Sequence, residues 1–488
     1  VFANSVFHSL DEWNLFHSFK VGKIEYTAQS FAVMNQSGWS LSDPVVGWIR
    51  ICAVCLIVVL VASGGVAAET DQPECEEVDF EDNGDGYEIE DLSQLQCLEE
   101  NGLDEDYILV DDIEANETEH WDEENGFEPI GDGDDRSWIE GDAFNGTFDG
   151  NDRTITNLAI DRSGADLVGL FEAIGSEGTV SNLTLESATV TGDDYVGSLS
   201  GQNYGTVSNL TLESATVTGN NYVGGLSGLN RGTVSDVSMS TDVAGSGKTG
   251  GVIGNNFGGT ITGATVKGKV FSKQDVGLPR VGGIVGYHHS SSSIDSSSFT
   301  NGTVDGENEN IGGIAGYADG SPITNSSANG TIGNEDADSV GGFAGRHFGD
   351  LSDSYSTATV RGNDSVGGVV GDAVESDIER TYAVGEVDGD GDDVGGLVGT
   401  GETGPGYNFN IENSYWDTET TGVSESFDSD EGGLTTDEMT GANAVEQMEG
   451  FGFPDGDDRW HAVEDDYPAL AWEDTDPVYG VEITGTNS

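Results

Sequence analysis

The residues of this chain that could do chemistry fall into a few groups. Counting from Asp79, the residues Asp79, Glu81, Asn83, Asp85 and Glu90 occupy the first, third, fifth, seventh and twelfth places of an EF-type loop, with Gly84 at the sixth. Oxygen donors at that spacing suit calcium, the one cofactor these residues suggest. Glu81 and Gly86 depart from the pattern and no clear helix precedes it, so an acidic linker is the competing reading. A second group is cationic: Lys248, Lys267, Lys269, Lys273 and Arg280 lie where Asp275 is the only acid from 248 to 280, and they include every lysine after residue 68. Such a stripe on an acidic protein predicts ligand binding, to an envelope glycan or an acidic surface protein; an internal counter-charge that relieves repulsion is the alternative. Cys75 and Cys97 predict one disulfide in an oxidising compartment.

Other segments imitate sites. Gly245-Ser-Gly-Lys-Thr249 ends like a phosphate loop, but Asp242 stands where that loop needs glycine. His288 and His289 are adjacent, so on a strand they point to opposite faces and make a poor metal chelate. Asp388-Gly-Asp-Gly-Asp-Asp393 offers paired carboxylates in a turn and reads as a solvated loop. Metallopeptidase H-E-x-x-H and G-x-S-x-G elbow motifs are absent, and no catalytic residue is assigned. Among the Asn-x-Ser/Thr sequons, Asn116, Asn329 and Asn363 read as glycan acceptors. Asn182, Asn209 and Asn325 recur at one repeat position and are expected to be stacked, buried and hydrogen-bonded.

These residues must be positioned by a repeat. A small-residue signature, best preserved as Tyr222-Val-Gly-Gly-Leu-Ser-Gly228, returns at Val168, Val196, Val223, Thr249, Val281, Ile311, Val340, Val366 and Val394, every 26 to 32 residues. Gly178–Gly192 and Gly205–Gly219 are the same fifteen residues. A fixed period of this size predicts a stacked solenoid. Between signatures run three apolar ladders: Val180, Val207, Val234, Ile261, Ile294, Ile323, Leu351, Ile378 and Ile411; Leu183, Leu210, Val237 and Ala264, turning to Tyr355, Tyr382 and Tyr415; and Val190, Val217, Val243, Val304, Ile332, Val360 and Val387. Alternation of β-branched residues with Ser, Thr and Asn gives strands with one buried face. The fold class expected is all-β, a parallel β-helix of about nine coils with N- and C-terminal caps. The paired glycines are expected to supply positive φ at a bend and close approach between coils.

The V-G-G-[LIV]-x-G signature at this period resembles the GLUG repeat of secreted and surface proteins, over residues 166 to 400. That resemblance implies an accessory or display module, since some such proteins carry a peptidase elsewhere in the chain. The organisation expected is an over-extended N-terminus (1–49), a signal peptide (50–68), an acidic segment and cap (69–165) with a short helix over Leu92–Leu98, the solenoid (166–410) and a C-terminal cap (411–488) with Trp416, Trp460 and Trp472 as plugs. Ile51–Ala62 is a short apolar run followed by a Val-x-Ala site, so export is expected, with membrane attachment only through an uncleaved signal.

Ninety acidic residues against sixteen basic ones give a net charge of -74. This excludes binding to nucleic acid through phosphate neutralisation. It also predicts a halophilic protein, because molar salt shortens the Debye length to about 3 Å and relieves self-repulsion. The function expected is a non-enzymatic, secreted or cell-surface solenoid in adhesion or envelope association. The rivals are a secreted polysaccharide lyase or hydrolase and a targeting module of a peptidase system.

Overall fold

The structure is a computed structural model and describes residues 19–21, 24–26, 72–84, 86–131, 143–273, 279–306, 310–402, 409–427, 432–453 and 459–473. The apolar run Ile51–Ala62, the cleavage site and Asp85 lie outside the described residues. The chain divides into two units, Val1–Thr70 and Asp71–Ser488. In the first, Phe19–Val21 pairs antiparallel with Ile24–Tyr26. No helix among the described residues is long and apolar enough to cross a membrane.

The second unit is a parallel β-solenoid. A 28-stranded sheet and an eight-stranded sheet are built from strands that pair with their counterparts one coil away. All nine signature positions lie in one register, from Val168 against Val196 through Val223, Thr249, Val281, Ile311, Val340 and Val366 to Val394. The two identical fifteen-residue copies stack like on like, Thr206 on Thr179 and Val217 on Val190. Val180 to Ile411 and Val190 to Val387 are each continuous and line the core.

The sheet reaches further upstream than the repeat signature. Tyr87–Ile89 pairs in parallel with Tyr107–Leu109, that strand with Phe148, and Phe148 with Val180. The residues assigned to an N-terminal cap therefore include coils of their own, without Gly-Gly but with the same alternation. The end of the rod is covered by two short helices, Leu92–Gln96 and Leu98–Asn101, rather than one. Asp91 caps the first by accepting the Gln94 amide. Cys75 is bonded to Cys97 between them, and the Tyr107 hydroxyl donates to the Leu98 and Gly102 carbonyls.

The paired glycines act through close approach alone, since none in the signature has positive φ. A Cβ on Gly225, Gly251, Gly283, Gly313, Gly342 or Gly368 would collide with the carbonyl oxygen of the matching glycine one coil on. Positive φ sits instead at a corner, on Asn182, Asn209, Asp236, Asn325, Asp353, Arg380 and Asn413. Asparagine and aspartate tolerate that conformation best, which explains the recurring sequons. Asn209 donates to Asn182 at 2.7 Å and Asn182 to Asp149 at 2.9 Å. These asparagines are stacked and hydrogen-bonded as expected, but exposed or half-buried rather than buried.

A different asparagine ladder is buried. Asn203 donates to Asn230 and Asn230 to Asn256, each at 2.9 Å, and the Asn256 amide then meets Nδ1 of His288 at 3.2 Å. His288 and His347 are both fully buried. Burial pulls the imidazole of His288 from 6.5 down to about 3, an effect the Pro322 carbonyl only partly offsets. It pulls His347 down to about 4. The folded state therefore holds both rings neutral while the unfolded chain protonates them below 6.5. Stability conferred by neutral burial is present above pH 6.5 and is lost as pH falls toward the folded values. His288→Asn extends the asparagine ladder by one rung. We expect it to leave Tm at pH 8 nearly unchanged and to flatten the decline of Tm between pH 6.5 and about 4, measured by circular dichroism. Identical slopes in the two proteins would mean that His288 exchanges protons without unfolding.

Past Ala264 the second ladder changes chemistry. Its interior place passes to hydroxyls: Ala264 N–H donates to Ser297 Oγ, Ser297 N–H to Ser326 Oγ, Ser326 N–H to Ser354 Oγ, and Thr381 N–H to Ser414 Oγ. Tyr355, Tyr382 and Tyr415 do not continue the leucine ladder. They stand one residue further on, level with Thr265, Ser298 and Ser327, and face outward.

On these tyrosines the C-terminal residues make a second apolar cluster with Met439, Met448, Phe451, Trp460 and Leu470. The segment is thus a strap along the side of the rod as well as a cap. Trp416 alone plugs the end, buried beneath Gly396 and Gly433. Trp460 packs against Tyr355 and Tyr382. Trp472, expected as a plug, is 39% exposed and donates to the Asn325 carbonyl at 2.9 Å. Glu473 accepts from Tyr355 at 2.7 Å and from Ser327 at 3.2 Å. Beneath the strap Asp353, 1% exposed, accepts two hydrogen bonds from Arg380 at 2.6 and 2.8 Å, one from Arg459 at 2.5 Å and one from Trp460 at 3.2 Å.

Candidate ligand-binding face

The residue before each valine of the signature points outward from the eight-stranded sheet, and in successive coils it is Tyr195, Tyr222, Lys248 and Arg280. Tyr195 and Tyr222 stack with centroids 4.6 Å apart and planes 9° from parallel. Both take positive φ, which is uncommon for an aromatic residue. The Lys248 ammonium lies 4.6 Å above the Tyr222 ring. Arg280 lies 4.1 Å from the centroid of Tyr287 and 4.4 Å from that of Tyr317, rings from an adjacent line of outward residues. A third line places Arg231 4.6 Å from Phe257 and 5.9 Å from Tyr204, with His289 4.3 Å beyond Phe257. Rings and cations thus follow one another coil by coil, Tyr195 and Tyr222 and then Lys248 and Arg280, with further rings and Arg231 in neighbouring lines.

Electrostatics reinforce the pattern. Burial pushes the Tyr287 phenol up to about 12, with the Asp319 carboxylate adding to the effect and Arg280 opposing it. Burial likewise raises Tyr195, Tyr204 and Tyr317. These phenols remain protonated donors at any physiological pH. Neither Lys248 nor Arg280 forms an ion pair among the described residues, whereas Arg346 at the downstream end is neutralised by Asp372 at 3.1 Å.

The five cations expected as one stripe are divided. Lys248 and Arg280 are in register and belong to the face. Lys267 and Lys269 are exposed on the Thr260–Ser272 strand of the other sheet, where the Lys269 amide donates to Asp242 and its ammonium covers Phe271 at 4.5 Å. Lys273 is exposed at the exit of that strand. The division arises because 248 to 280 spans more than one coil, so proximity in sequence crosses from one sheet to another.

Of the expected calcium loop, Asp85 lies outside the described residues. Asp82 bridges antiparallel to Tyr87 and closes a short turn. Asn83 Nδ2 donates to Glu88 at 2.8 Å, and the Glu90 backbone amide donates to Gln94. Among the described residues no three His, Cys, Asp or Glu side chains form a metal-holding group, so Asp79, Glu81 and Glu90 do not converge. Of the expected glycan acceptors, Asn116 and Asn363 are exposed. The Asn329 amide is half-buried and donates to Thr357 at 2.7 Å. Gly245–Thr249 joins two strands, Thr249 is buried, and Asp388–Asp393 is an exposed turn.

Tyr195, Tyr222, Tyr287, Tyr317, Arg231 and Phe257 are absent from the sequence-based site. Their signal was available: aromatic and cationic residues recur immediately before the leading residue of the signature, immediately after its last glycine (Tyr287, Tyr317) and three residues after it (Arg231, Phe257).

The pattern described as "The GLUG motif" matches residues 307–333. The chain is similar to Halomucin of Haloquadratum walsbyi, 48% identical over 120 residues, which are 24% of this chain and 1% of that protein. It is also similar to a candidate Gly-rich membrane protein of Evansella cellulosilytica, 39% identical over 82 residues, 16% of this chain and 9% of the relative. The chain therefore spans a small fraction of these relatives. A crystal structure described as a candidate immunoglobulin A1 protease from Bacteroides ovatus overlays on 80% of this chain and 93% of its own, with 15% identity and a TM-score of 0.34.

Proposed function

We propose that this GLUG-motif solenoid is an exported, non-enzymatic protein of the cell surface or extracellular space that works by adhesion or envelope association. The observation that carries the reading is the outward face of stacked rings and cations, repeated coil after coil on a rod whose interior is filled by side chains. A stacked solenoid makes an extended contact surface from many similar positions, and such surfaces suit long or repetitive partners. The disulfide between Cys75 and Cys97 supports an oxidising compartment, and similarity to a protein named for a membrane supports a place at the envelope.

The test is to incubate the full chain in molar salt with cell-envelope polysaccharides and surface proteins, then assay the pellet for the chain and the supernatant by mass spectrometry for new polymer ends. Retention without new ends is expected. New ends that accumulate with time would overturn the reading in favour of a polysaccharide-acting enzyme, and loss of all retention would overturn adhesion.

A further inference from the structure

We infer that the face formed by Tyr195, Tyr222, Lys248, Arg280, Tyr287 and Tyr317 binds a linear anionic polysaccharide laid along the rod. The inference rests on the adhesion reading and names its ligand class. Charge is the first argument. A chain of net charge -74 repels acidic polymers almost everywhere, yet here two cations in adjacent coils carry no carboxylate partner among the described residues. Each is held over a ring, Lys248 over Tyr222 at 4.6 Å and Arg280 between Tyr287 and Tyr317 at 4.1 and 4.4 Å. Cations fixed in this way are pre-ordered for an anion and lose little side-chain freedom when it binds.

Period and shape give the second argument. Successive coils stand about 4.8 Å apart, close to the advance of one sugar residue along an extended chain. Tyr195 and Tyr222 offer ring faces to the apolar face of a pyranose, and the phenols donate to its hydroxyls. In the line of Arg231 and His289, Phe257 is 37% exposed, one of two large hydrophobic side chains so exposed among the described residues. Two rings followed by two cations along one line, with the Tyr287 and Tyr317 rings beside Arg280 in the next line, offer a polymer stacking faces for its sugars and positions for its carboxylate or sulfate groups. Stacking is also insensitive to ionic strength, whereas free surface charges are screened, so a site built on rings keeps its grip in brine.

The experiment uses the full chain in molar salt and fluorescence anisotropy with four labelled polymers of similar length: polygalacturonate, dextran sulfate, neutral dextran and poly-glutamate. Binding of at least one anionic glycan about tenfold or more tighter than neutral dextran is expected, with no binding of poly-glutamate. The first two polymers tell carboxylate from sulfate. Lys248→Gln with Arg280→Gln is expected to weaken the preferred glycan about tenfold or more, and Tyr222→Ala with Tyr317→Ala by a similar factor. Arg280→Lys, which keeps charge but loses the planar stack, should fall between. Lys267→Gln with Lys269→Gln, on the Thr260–Ser272 strand, should leave binding unchanged.

Equal binding of neutral dextran, equal loss in the Lys267 and Lys269 variant, or preference for poly-glutamate would overturn the inference, the last in favour of an acidic protein partner. Should none of the polymers bind while the envelope still retains the chain, the inference fails and adhesion stands. Loss of envelope retention as well removes both.

Discussion

Replacing Asp353 by alanine is expected to release the C-terminal strap while leaving the coils upstream folded. Asp353 lies at a corner of the rod, 1% exposed between Arg380 and the strap. Its carboxylate is shared by Arg380 of the next coil and by Arg459 and Trp460 of the strap. Removing one member of such a buried pair costs about 3–5 kcal/mol, because the partner stays desolvated without its counter-charge. Arg380, 17% exposed, keeps Glu379 as a second carboxylate and so bears only part of that cost, while Arg459 is 54% exposed. Hydrogen exchange of the Ala471 amide, which pairs with the Arg459 carbonyl, should accelerate about tenfold or more, since part of that energy is retained through Glu379. Amides of the Thr206–Thr218 strand should not change. Arg459→Gln should have a small effect because that ion pair is half in water. If Ala471 kept its protection in the alanine variant, the strap would be held by its aromatic contacts alone.

The same group sets an acid limit. Burial by itself raises the Asp353 carboxyl, but Arg380, Arg459 and Trp460 outweigh it and hold the group below its ordinary value. A depressed carboxylate contributes stability above the unfolded pKa, about 3.9, and loses it as pH falls through the lower folded value. Strap release in acid should therefore begin below about pH 4, after the histidine-linked decline that starts at 6.5.

Gly283→Ala is expected to be the most damaging single methyl in the molecule's middle. An alanine Cβ there would strike the Gly313 carbonyl oxygen and come within 2.6 Å of the Phe299 ring. The backbone of the next coil cannot yield without breaking its ladder, and the ring is fully buried. Overpacking of a close-packed core costs about 1–3 kcal/mol when side chains can shift; here backbone must move too, so we expect at least about 3 kcal/mol and a clearly lowered Tm. Gly164→Ala, which meets no atom within 4 Å, should stay within about 0.5 kcal/mol of the parent. Adding Phe299→Ala to Gly283→Ala should restore only part of the loss, since the carbonyl contact remains. Full rescue would place the constraint in the ring and not in coil spacing.

Much of this arrangement could be read from residues alone, for reasons that differ by element. The signature and two ladders were legible because a solenoid places equivalent residues directly above one another, so period in sequence becomes register in space. Val223 on Val196 and Ile261 on Val234 follow from counting. The tyrosines were misplaced because Leu183 and Tyr355 differ by one step, and a one-residue shift exchanges the faces of a strand. The hydroxyl ladder of Ser297, Ser326 and Ser354 hid that step, since buried serines do not announce an interior. The cationic face was half legible: Lys248 and Arg280 were identified, but Lys267 and Lys269 were grouped with them by sequence distance, and the rings beneath were taken as ordinary repeat residues. Nothing short of coordinates would have revealed that Asn256 hands its hydrogen-bond ladder to His288.

The strap has a mechanical meaning. Coils upstream of it are joined to their neighbours by their ladders and shared core, with no strap across them among the described residues. From Asn325 to Trp416 the situation differs, because Trp472 and Glu473 are fastened back to Asn325 and Ser327 while Tyr382 and Asp353 grip the strap between. Those coils must fail together or not at all. The rod is therefore braced over its downstream coils, and the ring-and-cation face lies largely upstream of that brace.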